Sequence, residues 1–251
     1  MDDTSWREGR ARAWLWTAVT TWGTVLLVRL ARSAKVAPEL WGEQCWGWVV
    51  TERWNAYRWS PAWRRQVCWA PLRRDSEARI ARGGPAAERG EALRAHVRPM
   101  CHWWPRVRDG TRAQARFGTS MRPMRQEVAR RREAGQTCGV PKTEGGCRER
   151  LKRRHALGLF VRQADVEPTH NAAARAIRPG VLGRTGSFGT QSPEGSRGVE
   201  VIMTVVATLT QQHSPVLDDL TAACEAALRG GTAPSLLPTS ADIQKRMRPA
   251  A

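Results

Sequence analysis

Two short apolar runs constrain the fold before anything else. Residues 14–19 (WLWTAV) and 25–30 (VLLVRL) are the length of strands and rich in aromatic and branched side chains, and a Thr-Thr-Trp-Gly turn separates them. They read as two neighbouring core strands. Taken together as one segment, Ala13 to Val28 is too short to span a bilayer comfortably. Thr17, Thr20, Thr21, Gly23 and Thr24 interrupt it, so no membrane association is expected. A third run at 46–51 (WGWVVT) reads as a buried strand followed at once by Glu52. Between these runs Pro38-Glu39-Leu40 opens a short helix, with proline in its first turn.

All 13 tryptophans fall between Trp6 and Trp104, which separates a strand-rich aromatic part from an arginine- and alanine-rich remainder. From about residue 62 the apolar spacing becomes helical. Helices are predicted over 67–80, 86–108, 119–134 and 151–161. A short one follows at 170–178, with Thr169 as N-cap, and two more at 199–212 and 215–228. Gly83-Gly84-Pro85, Asp109-Gly110 and the Gly135 to Gly146 stretch break the pattern, and Gly183 to Gly198 reads as a loop. The Pro- and Ser-rich segment 230–251 is expected to be disordered. No internal repeat is visible.

Apolar residues make up 41% of the 251, enough for a buried core. The formal net charge is +18, and only four of the 41 basic residues are lysines. Such an excess points to a polyanionic partner, in the first place nucleic acid. Arg122 to Arg125, Arg130-Arg131-Arg132 and Arg148 to Arg154 suit phosphate contact or simply a solvated helix face; the residues leave both open. Trp103-Trp104 reads as core in preference to a base-stacking pair. The six cysteines lack a disulfide or zinc spacing, so free thiols in the cytoplasm are expected.

Five blocks carry a resemblance. Val166 to Pro179 (VEPTHNAAARAIRP) is similar to V-E-P-T-N-N-x-A-E-R-A-L-R, the third catalytic motif of the insertion-sequence 66 transposases. Asp2 to Arg7 (DDTSWR) resembles that family's D-E-T-x-W. Trp48 to Tyr57 resembles V-x-T-D-x-x-x-A-Y, and Cys68 to Asp75 resembles C-W-A-H-x-R-R. Arg184 to Arg197 resembles R-K-T-S-F-G-T-x-x-x-x-G-S-R. The blocks occur in the family's order, and the resemblance runs from residue 2 to about residue 238.

The resemblance implies an α/β fold with an RNase H-like catalytic core, a mixed sheet flanked by helices, and an all-helical insertion. Residues 1–60 would form the first part of the core and 61–160 the insertion. Residues 161–229 would form the second part of the core with C-terminal helices, and 230–251 the tail. It implies DNA transposition by strand cleavage and transfer, with transposon ends as partner and Mg²⁺ as cofactor. A homo-oligomer or an intact transposase is a further expected partner. Three acids would hold the cations, because Mg²⁺ prefers hard oxygen ligands. Asp2 takes the first position and Glu52 stands where the family has Asp. Ala174 stands where the family has Glu, so one ligand is lost. Arg175, Arg178, Arg184 and Arg197 are the implied DNA contacts. Only Met1 precedes Asp2, so the first strand is expected to be truncated and the sheet marginally stable. Pro71, His170, Gly183, Thr185 and Gly198 also depart from the family's residues. The implied activity is therefore impaired catalysis, with a non-catalytic DNA-binding remnant or competitor as the alternative.

Overall fold

A computed structural model describes residues 1–42, 47–134, 144 and 155–239. The chain divides into two compact units: Met1–Cys45 with Asn171–Ala251, and Trp46–His170. The fold is mixed α/β, with two small sheets and many helices. The strands are β1 (Asp2–Glu8), β2 (Ala11–Val19), β3 (Thr24–Arg29), β4 (Val49–Thr51) and β5 (Arg65–Val67). The helices are α1 (Val36–Trp41), α2 (Ala70–Ala81), α3 (Gly84–Arg108) and α4 (Gln114–Ala134), then α5 (Leu159–Arg162), α6 (Asn171–Ser187), α7 (Pro193–Gln212) and α8 (Val216–Arg229). Among the described residues no helix is long and apolar enough to cross a membrane.

The first unit rests on an antiparallel sheet in the order β1-β2-β3. The two predicted core strands are present, and Thr20 Oγ1 closes their turn by accepting from the Trp22 and Gly23 amides at 3.1 Å. All seven residues of β1 pair with β2, from Asp2 opposite Thr17 to Glu8 opposite Ala11. The hydrogen bonds of a full-length neighbour hold it, and Met1 is buried beside it. In β2, the central strand, Leu15, Trp16, Thr17 and Ala18 are buried in succession. A strand exposed on one face would alternate, so this run marks cover on both. On one face Trp6, Ala13, Leu15, Leu26 and Val28 form a core with Ile177 of α6, completed by Val199 and Met203 of α7.

Helix α6 is longer than predicted. It continues through Pro179 and Gly183 to Ser187, so the predicted loop shrinks to residues 188–192. Pro179 removes a backbone donor and crowds the preceding turn. Both Pro179 and Arg175 lie on the exposed side, where water can reach the released carbonyl. Burial of Ile177 and Gly180 against β2 outweighs the local breaker. The N-cap of α7 is Ser192, whose Oγ accepts from the Gly195 amide at 3.2 Å, followed by Pro193 in the first turn.

The second unit contains the parallel pair β4-β5, with Val49 opposite Arg65 and Thr51 opposite Val67. Of the predicted strand 46–51, residues 49–51 form β4 and residue 46 lies outside the described residues, and the stretch read as helical from residue 62 first forms β5. A 3₁₀ turn at Asn55–Trp59 lies in the crossover between them. Helices α3 and α4 begin earlier than predicted, at Gly84 and Gln114. The predicted helix 151–161 appears only as a 3₁₀ turn at His155–Leu157 and the single turn α5. Residues 151–154 and 135–143 lie outside the described residues. The core of this unit gathers Trp69, Trp104, Phe117 and Phe160, with ring centroids 5.6–6.3 Å apart. Trp104 is therefore core, as its sequence context suggested.

Candidate functional site

Strand alternation decides where the first acid points. Asp2, Thr4 and Trp6 share one face of β1, and Trp6 lies in the core beneath α6. Asp2 is thus on the sheet face that α6 covers. Its neighbour Asp3 points the other way, and its fully buried carboxylate accepts from Arg32 Nε at 2.6 Å. Two adjacent acids therefore have different surroundings, and Asp3 is engaged in an ion pair.

Contacts fix the direction of α6. Gly180 packs on Leu15, which pairs with Thr4. Farther along, Arg184 donates from Nη1 to Thr4 Oγ1 and Ser5 Oγ, each at 2.8 Å, and to the Ser5 carbonyl. Beyond the helix, Thr190 N donates to the Arg7 carbonyl at 2.9 Å. The helix thus runs with β1, and tracing it backward from Gly180 leads toward Asp2. From Gly180 to Ala174 is about 9 Å of helix. From Thr4 to Asp2 is about 7 Å of strand, a close match. At about 100° per residue, Ala174 falls on the same flank as Val181, the flank nearer β1. Ala176 and Pro179 fall on the opposite flank, where they line an apolar groove with Ile202, Met203 and Val206 of α7. Ala174 is half-buried. An ideal helix would therefore carry position 174 toward Asp2, and the side chain there is a methyl group.

Glu52 is half-buried in the second unit, immediately after β4. Glu167 is held elsewhere. Its Oε2 accepts from Trp104 Nε1 at 2.7 Å, and Arg108 lies 3.9 Å from its Oε1. Position 170, a departure from the family residue, places an imidazole beside Cys68. Burial pushes that thiol up. The hydrogen bond and charge of His170, helped by the Ala70 amide, bring it below the ordinary 9.0.

The four predicted arginines are not one surface. Arg184 straps α6 to β1, while Arg175 lines the apolar groove on the other flank. Arg178 is exposed between them in sequence. Arg197 donates to the buried Glu200 at 3.0 Å. Glu200 also accepts from the Val28 amide at 2.7 Å and from Arg29 at 2.6 Å, so Arg197 belongs to a structural network. Sequence reading assigned no role to Arg7, Arg10, Arg12 or Phe188, which line a cavity with Arg184. The available signal was the strand alternation that sets Arg7 opposite Arg12.

With this geometry in view, comparison with known families is decisive. The model of the IS66 transposase family matches residues 1–198. The chain belongs to the insertion-sequence 66 transposase family. Neither curated proteins nor solved structures yield a match. Membership implies DNA transposition as the family's activity and DNA as its partner. Divalent cations are typical of such enzymes, but the donors in this transposase chain do not fit a three-carboxylate site. Position 174 offers no oxygen, and Asp3 is paired with Arg32. Among the described residues no three His, Cys, Asp or Glu side chains gather as a metal site.

Proposed function

We propose that this chain is a transposase-derived DNA-binding protein with impaired strand-transfer chemistry. The reading is carried by Ala174, half-buried in α6, where an ideal helix traced back from Gly180 would reach the level of Asp2. A missing ligand to a catalytic cation weakens charge stabilisation worth several kcal/mol, a loss of roughly 10³-fold or more in rate. Glu52 keeps a carboxylate but carries it one methylene farther than the family's Asp. The antiparallel β1-β2-β3 sheet, the parallel β4-β5 pair and the helix over β1 support an RNase H-like core. Under that reading residues 1–60 and 161–229 contribute the core. Residues 61–160 would supply the helical insertion, with strand β5 preceding its first helix, α2. Transposon ends are the proposed DNA, and an intact transposase the partner with which this chain would compete.

The test pairs chemistry with cation binding. Wild type is expected to give no strand transfer with Mg²⁺ or Mn²⁺ on a donor duplex. Transfer that vanishes in Asp2→Ala would overturn the proposal. The Ala174→Glu variant is expected to gain a Mn²⁺-dependent rise in Tm that wild type lacks. A ligand at about 100 times its Kd adds about 2.7 kcal/mol, which is roughly 5–10 °C for a chain of this size. An equal rise in wild type would show that the site never lost its cation.

A further inference from the structure

The far end of β1 carries a second constellation. Its starting point is an electrostatic oddity: Arg7 and Arg12 are direct cross-strand partners. Like charges placed opposite each other destabilise a sheet. Among the described residues none of Arg7, Arg10 and Arg12 is paired with a carboxylate. Arg10 lies in the β1-β2 turn beside them, and Arg184 joins from α6. Together with Ser5, Trp6, Thr185 and Phe188 these arginines line a cavity of about 510 Å³. It lies about 17 Å along the strand from Asp2, five residues at about 3.4 Å.

Phe188 is the second observation. It is 75% exposed and adopts φ 58, the left-handed region that a bulky side chain rarely enters. The surroundings hold it there. Its amide donates to the Arg184 carbonyl at 2.9 Å. Gly189, at φ +104, lies so close to Arg7 that a Cβ would meet the Arg7 carbonyl oxygen at 2.3 Å. Thr190 then clamps the β1-β2 turn. Its carbonyl accepts from Gly9 N at 2.7 Å and its Oγ1 from Trp6 Nε1 at 3.2 Å. Strain that the fold over-determines, with an apolar ring aimed at solvent, indicates a function for the ring.

We propose that this end of β1 is a single-stranded DNA site, with Arg7, Arg10, Arg12 and Arg184 on successive phosphates and Phe188 stacking an unpaired base. The arginines supply the sequence-independent charge and the ring a flat face that every base can cover. A duplex offers the same phosphates but no free base face, so the ring selects the unpaired strand. The proposal rests on the DNA-binding reading above and gives it a strand preference and an address.

Fluorescence anisotropy with a labelled oligo-thymidine strand and a duplex of equal length tests it across a salt series. Phe188→Ala is expected to weaken the single strand roughly 5- to 150-fold and leave the duplex nearly unchanged. Phe188→Trp should retain single-strand binding. Arg7→Ala/Arg12→Ala should make the single-strand salt slope shallower by about 1.4. Circular dichroism confirms that each variant is folded. Equal effects of Phe188→Ala on both probes, or none on either, would overturn the stacking assignment. An unchanged slope in the double arginine variant would overturn the phosphate assignment. If Arg175→Ala/Arg178→Ala weakens binding while these variants do not, this site fails and the DNA-binding reading stands. Absence of binding to both probes in wild type would sink both.

Discussion

Asp2 and Asp3 are adjacent, identical in chemistry and opposite in environment. Asp3 is sealed against Arg32. Removing one partner from such a pair strands the other charge, at a penalty of about 3–5 kcal/mol when both are buried. Arg32 keeps some access to water, so the lower end applies. Asp2 lies on the α6 face beside Thr17, whose fully buried Oγ1 has no hydrogen-bond partner. An orphaned buried hydroxyl is itself worth about 1–3 kcal/mol of lost stability. Asp2 itself is half-buried and accepts from the Asp3 amide at 3.0 Å, whereas the Asp3 carboxylate is fully buried. Thermal melts should separate the two acids: Asp3→Ala lowers Tm by several degrees, and Asp2→Ala changes it by less than half as much. Equal losses would mean that Asp2 is a structural residue. This division was half legible. The motif singled out Asp2, but nothing in the sequence showed that Asp3 would be enclosed, because its partner lies 29 residues away across the sheet.

Helix α6 shows how packing overrides local signals. Proline and two glycines argued for a helix ending near residue 178, yet it runs to Ser187 because Ile177 and Gly180 are buried on β2. Two of its three glycines, Gly180 and Gly183, predict opposite outcomes for the same substitution. A Cβ at Gly180 would lie 2.4 Å from Leu15 Cδ2 and 3.1 Å from Met203 Cε. Overpacking a core contact costs about 1–3 kcal/mol, more than the roughly 1 kcal/mol of helix propensity that alanine returns. At Gly183 a Cβ meets nothing within 4 Å, so only the propensity gain remains. Gly180→Ala should therefore lower the denaturant midpoint and Gly183→Ala should raise it. A rise for Gly180→Ala would mean that α6 can lift away from β2. The sequence carried the helix start and the motif phase; it could not carry the end, which depends on contacts with a strand more than 160 residues earlier. The β1–Thr190 clamp was invisible for the same reason.

At the scale of the molecule the governing quantity is the charge of +18. Acidic groups neutralise some arginines locally: Arg29 by Glu39 and Glu200, Arg53 by Asp75, Arg94 by Glu91. Much of the excess is left for other partners, and three of those arginines sit around one cavity in the first unit. Charge of this kind gives affinity through release of counterions, with little sequence preference. The strand and helix patterns, and the five motif blocks, were readable because each is local. The clustering of Arg7, Arg10 and Arg12 with Arg184 joins both ends of a chain whose middle folds as a separate unit, and so no window of sequence displays it. DNA affinity of the full chain should fall steeply between about 50 and 200 mM salt, by a factor of roughly 10³ if six phosphates are contacted. Unrelated competitor DNA should displace a transposon-end probe at low salt. A flat salt dependence, with resistance to such competitor, would require recognition by base contacts, and the net charge would then have to serve something other than binding DNA.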